Sequence, residues 1–156
     1  MRVAILTAST SVYRGQEEDK SGSLMKSMLE EAGLDVVFTK ALPNDKAVLS
    51  TIMQRIADGD LADLILTTGG AGCAPSDCTP EATLDIVEKV VPGIPEAMRA
   101  HIAQMTKRAM LNRGVAGIRE KALIVNLPGK AGAVKECLKF LLPELVHAVD
   151  VVKGEA

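Results

Sequence analysis

The sequence predicts an α/β domain in three layers, a mostly parallel β-sheet with helices on both faces. Three observations carry that expectation. Strand-length apolar runs recur at Val3–Thr7, Val36–Leu42, Leu61–Thr68 and Lys121–Asn126. Stretches with apolar residues at helical spacing separate them. No internal repeat, low-complexity stretch or linker interrupts the order, so residues 1–156 read as a single domain. Strands alternating with helices in this way build a doubly covered parallel sheet.

Val3–Thr7 is short and apolar, as a buried strand should be. A polar loop follows through Lys20. From Ser23 to Ala32, Leu24, Met25, Met28 and Leu29 fall on one helical face, and Gly33 stops the helix. Val36–Leu42 is rich in β-branched residues and ends at Pro43-Asn44, where Asn44 is placed to cap a helix carrying Ala47, Val48, Ile52 and Ile56. Leu61–Thr68 runs directly into Gly69-Gly70-Ala71-Gly72. Thr79-Pro80-Glu81 is a strong helix start, joining a capping threonine, an early proline and an acid in the first turn. That helix is expected to reach about Val90, and a further one to cover about Pro95–Thr106. Lys121–Asn126 then meets Leu127-Pro128-Gly129. A closing helix places Val134, Cys137, Leu138 and Leu141 on one face and passes Pro143 towards Val149.

Composition removes several functional classes. Eighteen basic against 20 acidic residues give a net charge of −2, and the chain has two Phe, one Tyr and no Trp. A nucleic-acid binder needs a basic face and stacking aromatics, so nucleic acid is not an expected partner. No run approaches the ~18 apolar residues of a membrane span, and Met1–Thr7 is too short for a signal peptide. The expected location is the cytoplasm, with no membrane partner. Three cysteines, Cys73, Cys78 and Cys137, read as free thiols. Cys73 and Cys78 lack the second close pair that a structural zinc site requires.

Chemistry concentrates in two strand-to-helix loops. In Leu66-Thr67-Thr68-Gly69-Gly70-Ala71-Gly72, glycines let the backbone turn sharply and approach a ligand. Successive N–H groups in such a turn form an anion-binding concavity, although the same residues also suit a tight turn without a ligand. The Gly-Lys-Ser/Thr ending of a P-loop is absent. Asp77 follows in the same loop and can serve as a carboxylate for a phosphate-bound divalent cation, or simply as a turn residue. Asn126-Leu127-Pro128-Gly129-Lys130-Ala131-Gly132 is the second such loop. Arg113 can pair with a phosphate or carboxylate in bidentate fashion, or form a surface salt bridge.

Thr67-Thr68-Gly69-Gly70-Ala71-Gly72, followed by Asp77-x-Thr79-Pro80-Glu81-Ala82-Thr83, resembles the signature of the MogA/MoaB molybdopterin-binding family. Arg113-Gly114-Val115-Ala116-Gly117-Ile118-Arg119 and Ala122–Gly129 resemble its later motifs, in the right order. The resemblance spans nearly the whole chain. It implies a molybdopterin-binding fold, a homotrimer, and transfer of AMP from Mg-ATP to the terminal phosphate of molybdopterin with release of pyrophosphate. A molybdenum-insertion protein is the implied recipient of the product. Thr68, Gly69, Gly70, Ala71, Gly72, Thr79, Glu81, Arg113, Asn126, Pro128 and Gly129 are the substrate-binding positions it implies.

Two loop aspartates support Mg²⁺ and adenylyl transfer in this family. Asp77 matches the first. The second acid follows a proline, where this chain has Pro43-Asn44-Asp45. Either Asp45 substitutes, one helical step and about 100° away, or Asn44 ligates through its carbonyl oxygen. Ala71 stands in place of a usual threonine, Asn112 of a serine and Ala131 of a proline, and Ala8-Ser9-Thr10-Ser11 replaces a Ser-Asp-Arg-like motif. A non-catalytic molybdopterin-binding paralogue and a trimeric interaction module are the alternative readings.

Overall fold

A computed structural model describes residues 1–156. Strands β1 (Arg2–Ala8), β2 (Asp35–Leu42), β3 (Leu64–Thr68), β4 (Lys89–Val90), β5 (Ala116–Arg119) and β6 (Ala122–Leu127) form one sheet in the order β2-β1-β3-β6-β5-β4. The first four in that order run parallel, and β5 and β4 close the far edge antiparallel.

Side-chain alternation along the strands splits the core in two. Val3 and Ile5 of β1, Leu64 and Leu66 of β3, and Leu123 and Val125 of β6 face α2 (Lys20–Glu31), α5 (Gly93–Ala103) and α6 (Ala131–Lys153). Ala4 and Leu6, Ile65, and Ile124 face the other way, onto α3 (Lys46–Asp58) and α4 (Thr79–Leu84). Because strand side chains alternate with period two, a parallel strand covered on both faces must be apolar throughout. That explains the unbroken burial of β1 from Val3 and of β3 and β6. A four-residue helix, α1 (Thr10–Tyr13), follows β1, and a 3₁₀ turn at Lys107–Leu111 follows α5.

Several boundaries differ from the sequence reading. The helix starting at Thr79 ends at Leu84, well short of Val90. Beyond it, Glu88 N–H donates to Ile118 O and Val91 N–H to Ala116 O, so β5 captures this backbone as an edge strand. Gly117 permits the pairing, since a Cβ there would sit 2.7 Å from Val87 Cγ1. The third strand begins at Leu64, not Leu61; Leu61 is exposed after a turn in which Asp60 has φ 52°. Helix α5 runs Gly93–Ala103 in place of Pro95–Thr106, and Thr106 instead accepts from Arg108 N–H at the start of the 3₁₀ turn. Asn44 does not cap α3. Asp45 does, its carboxylate accepting from Val48 N–H at 3.1 Å, one residue beyond the extended Pro43 segment. No helix is long and apolar enough to cross a membrane.

Candidate active site

The carboxyl ends of all four parallel strands converge. A Cβ on Gly69, just after β3, would lie 2.6 Å from Ala8 O at the end of β1. One on Gly70 would overlap Thr79 Oγ1 and sit 3.2 Å from Asn44 Oδ1, which follows β2. One on Gly129, after β6, would sit 3.2 Å from Gly69 Cα. The two glycine loops therefore touch each other. They meet beside the β1–β3 boundary, where connections leave in opposite directions and open α/β sheets bind ligands.

Gly69 and Gly70 have φ of 89° and 67°, in the left-handed region that side chains disfavour. Their carbonyls turn inward: Gly69 O accepts from Thr79 Oγ1 at 3.0 Å and Gly70 O from Thr79 N–H at 3.0 Å. The N–H groups of Gly69, Gly70, Ala71 and Gly72 donate to nothing within the chain. The second loop repeats the pattern. Pro128 O accepts from Thr68 Oγ1 at 2.6 Å and Gly129 O from Ser21 Oγ at 2.6 Å, while the N–H groups of Gly129, Lys130 and Ala131 are free. Open donors of this kind, at the start of the long helix α6, suit an anion.

Arg113 braces the first loop. Its Nη atoms pair with both oxygens of Glu81, at 2.7 and 3.1 Å, and its Nε and Nη2 donate to Gly72 O and Asp77 O. Those hydrogen bonds hold Glu81 below its ordinary pKa, because they favour its ionised form. Of the two alternatives for Arg113, the structure takes the surface salt bridge, made here in bidentate fashion to Glu81. Asp77 closes the Ala74–Asp77 turn by accepting from Ala74 N–H at 3.0 Å through Oδ2, and its Oδ1 accepts nothing within the chain.

Asn44 and Asp45 take different directions. The Asp45 carboxylate is occupied as the α3 cap. Asn44 Oδ1 points to Gly70 and is buried without a hydrogen-bond partner. Such an orphaned acceptor marks a place where an absent group can bind. Burial pushes the Cys78 thiol upward, and the charges of Glu81, Asp45 and Asp77 push it further. No group of three or more His, Cys, Asp or Glu side chains gathers closely enough to hold a metal unaided. The free Asp77 oxygen and the orphaned Asn44 Oδ1 are oxygen donors of the kind a hard cation takes when phosphate oxygens complete its shell.

The other expected binding residues divide by burial. Gly69, Gly70, Gly72, Pro128 and Gly129 line the cleft with accessible backbone, and Ala71 is buried behind it. Thr68, Thr79 and Asn126 are fully buried, with their side-chain polar atoms bonded to other protein groups. Asn126 Nδ2 donates to Thr67 Oγ1 and Thr83 Oγ1, both at 3.0 Å, and its Oδ1 accepts from Val115 N–H. Thr79 likewise spends its hydroxyl on the loop and does not cap α4, whose cap position is Cys78.

Around the loops lie three spaces that share lining residues. The central groove, about 360 Å³, is lined by Gly69–Gly72, Asp77, Arg108, Leu111, Asn112 and Gly129. On one side is a chamber of about 310 Å³ with an apolar floor of Met98, Ile102 and Ala109 and a rim carrying Arg99, Arg108 and Lys130. On the other is a chamber of about 290 Å³ lined by Ser9, Glu17, Asp19, Lys20 and Lys130. The sequence reading missed Arg108 and Ser21. Arg108 sits in an unremarkable polar stretch, and no local pattern announces it. Ser21 was findable only as the first turn after Asp19, which caps α2 by accepting from Gly22 N–H at 2.9 Å.

Fold and cleft together define a class: a doubly covered parallel sheet whose strand ends carry paired glycine loops with open N–H groups between two chambers. The sequence pattern of a family described as a probable molybdopterin binding domain matches residues 4–147, and the chain belongs to that family. A molybdopterin adenylyltransferase of Helicobacter pylori is 35% identical over 156 residues, covering 99% of this chain and 89% of its own. One of Escherichia coli is 34% identical over 142 residues, covering 89% and 72%. The crystal structure of the molybdopterin biosynthesis enzyme MoaB from Thermus thermophilus superposes with a TM-score of 0.92 at 39% identity, covering 98% of this chain and 96% of that one.

Proposed function

We propose that this chain is an enzyme of molybdenum-cofactor biosynthesis, a molybdopterin adenylyltransferase. A terminal phosphate oxygen of molybdopterin attacks the α-phosphorus of ATP, the bond to the β-phosphate oxygen breaks, and pyrophosphate leaves. The observation that carries this reading is the pair of facing loops, Gly69–Gly72 against Gly129–Ala131, whose N–H groups are open and whose carbonyls are turned away. Relatives of that name and of similar length support it.

In this reading the chain works mainly by positioning and charge neutralisation, as phosphoryl-type transfers require. The loop N–H groups hold the phosphates of both substrates in the central groove. Lys130 and Arg108 balance negative charge from the sides. The two rings lie in the two flanking chambers. A magnesium ion, which neutralises phosphate charge when bound, would be held by Asp77 and by Asn44 Oδ1, with Asp45 near enough to contribute long-range charge. Asp77, with one free oxygen, is the principal catalytic residue, while Arg113 and Glu81 keep its loop in shape.

The same reading makes the protein a cytoplasmic homotrimer, for which light scattering should return about three chain masses. It also passes its product to a molybdenum-insertion protein. A relative in Synechococcus elongatus, a molybdenum cofactor biosynthesis bifunctional protein of which this chain spans 47%, supports a second activity in close association. The test is pyrophosphate release. The expected result is release that requires ATP, magnesium and molybdopterin together. Tight molybdopterin binding without release would move the chain to the non-catalytic paralogue reading.

A further inference from the structure

The carbonyl oxygens of the two glycine loops need an explanation that substrate contact does not supply. A peptide unit presents N–H on one side and C=O on the other, and rotating it by half a turn exchanges them. Glycine resists that rotation least, since positive and negative φ are both open to it. Gly69 and Gly70 have positive φ, and Gly129 lies against Gly69, so the peptides that could flip border one cleft. Here, the carbonyls of Gly69, Pro128 and Gly129 each meet a side-chain hydroxyl from elsewhere in the fold.

We propose that Ser21, Thr68 and Thr79 are positioning residues that keep the facing loops an all-donor surface by holding these three carbonyls turned inward. The hydroxyls come from α2, β3 and α4, three different elements. Thr68 and Thr79 are wholly buried and Ser21 is 8% exposed, so none depends on solvent for its partner. Thr79 holds two consecutive carbonyls, using Oγ1 for Gly69 and its N–H for Gly70. It is itself held from behind, because Thr83 Oγ1 donates to Thr79 O at 2.9 Å and Asn126 Nδ2 donates to Thr83 Oγ1. Ser21 reaches a loop 108 residues away in sequence, which no local capping or turn requirement explains. The inference rests on the adenylyltransferase reading only in taking a phosphate as the ligand.

Calorimetric titration with pyrophosphate, in magnesium buffer and at a temperature where every variant is folded by circular dichroism, tests it. Ser21→Ala and the near-isosteric Thr79→Val should each weaken pyrophosphate binding about tenfold, the equivalent of roughly 1.4 kcal/mol. Thr79→Ser, which keeps the hydroxyl, should restore it to within about twofold. Asp63→Asn, at the opposite end of the sheet, is the control: it should lower Tm and leave affinity unchanged. If the hydroxyl variants lose Tm as that control does yet bind pyrophosphate like wild type, the bonds only stabilise the fold and the proposal is wrong. Equal loss of affinity in Asp63→Asn would contradict it as well. If Thr79→Val does not fold, Ser21→Ala decides alone. Wild type that binds pyrophosphate but transfers no AMP overturns the adenylyltransferase reading and leaves this inference standing, whereas wild type that does not bind pyrophosphate overturns this inference.

Discussion

The two ends of the sheet are both polar, for opposite reasons. At the amino end, charges answer one another. Arg2 donates from its main-chain N–H to Asp63 Oδ2 at 2.7 Å and from its guanidinium to Asp63 and Asp60, and Lys153 lies 3.7 Å from Asp63. At the carboxyl end, donors stay open: the loop N–H groups lack partners, and neither Arg108 nor Lys130 joins an ion pair. A folded chain satisfies its buried polar groups wherever structure is their only purpose. Open donors grouped in a cleft therefore mark the end that awaits a ligand. Changes to the open groups of the carboxyl end should alter chemistry at little cost in stability, and changes at the amino end the reverse.

Gly70→Ala should break the comparison's functional side most completely. Its Cβ would overlap Thr79 Oγ1, and alanine disfavours φ of 67°. The displaced loop should lose transfer by on the order of a thousandfold, about 4 kcal/mol, in a steady-state pyrophosphate assay. Asp77→Asn should come next, lowering kcat by roughly a hundredfold while molybdopterin binding persists, as expected if its free oxygen acts in the proposed transition state. Unchanged kcat would remove Asp77 from the mechanism.

Asp63 sharpens the other side. Burial alone would raise its pKa, but the side-chain and main-chain hydrogen bonds from Arg2 outweigh it and bring Asp63 to about 2, against an ordinary 3.8. The unfolded chain therefore takes up the proton first. This stabilisation is complete above about pH 4 and disappears as the pH falls to about 2, and it is on the order of 1–2 kcal/mol after allowing for the solvent around Arg2. Asp63→Asn should lower stability at neutral pH by a similar amount in a urea titration and flatten the wild type's loss between pH 4 and 2, with transfer intact. The smallest effect belongs to Asp45. Asparagine caps helices about as well as aspartate, and the carboxylate is directed at Val48 N–H, so Asp45→Asn should leave transfer within about twofold and Tm nearly unchanged. Asn44→Asp is its informative partner, since a carboxylate at the orphaned Oδ1 position should raise the magnesium-dependent rate.

Much of this was legible in residue order. The runs that became β1, β3 and β6 are apolar because both faces are covered, and a doubly buried strand carries its own label. Helices α2, α3 and α6 show in their apolar spacing, and the two loops in their glycines. Edge strand β4 and its neighbour β5 did not show, since Lys89-Val90 and Ala116-Gly117-Ile118-Arg119 are too short and small to alternate and exist by pairing with each other and, for β5, with β6. Nor does a motif say which way its polar residues face. Thr79, Thr83 and Asn126 share segments with residues that line the cleft, yet all three are wholly buried. Only the packing of α4 against α3, β5 and β6 decides that. The one-residue difference between Asn44 and Asp45 is likewise settled by where α3 begins.

The most direct test follows the α-phosphorus of ATP through wild-type protein with molybdopterin and magnesium present. With ATP labelled at that position, the label should appear on molybdopterin in step with pyrophosphate release, and both should fall together in Asp77→Asn while persisting in Asp63→Asn. Label recovered only as ATP, or as free AMP with none on molybdopterin, would contradict the assignment of the carboxyl-end cleft as an adenylyl-transfer site.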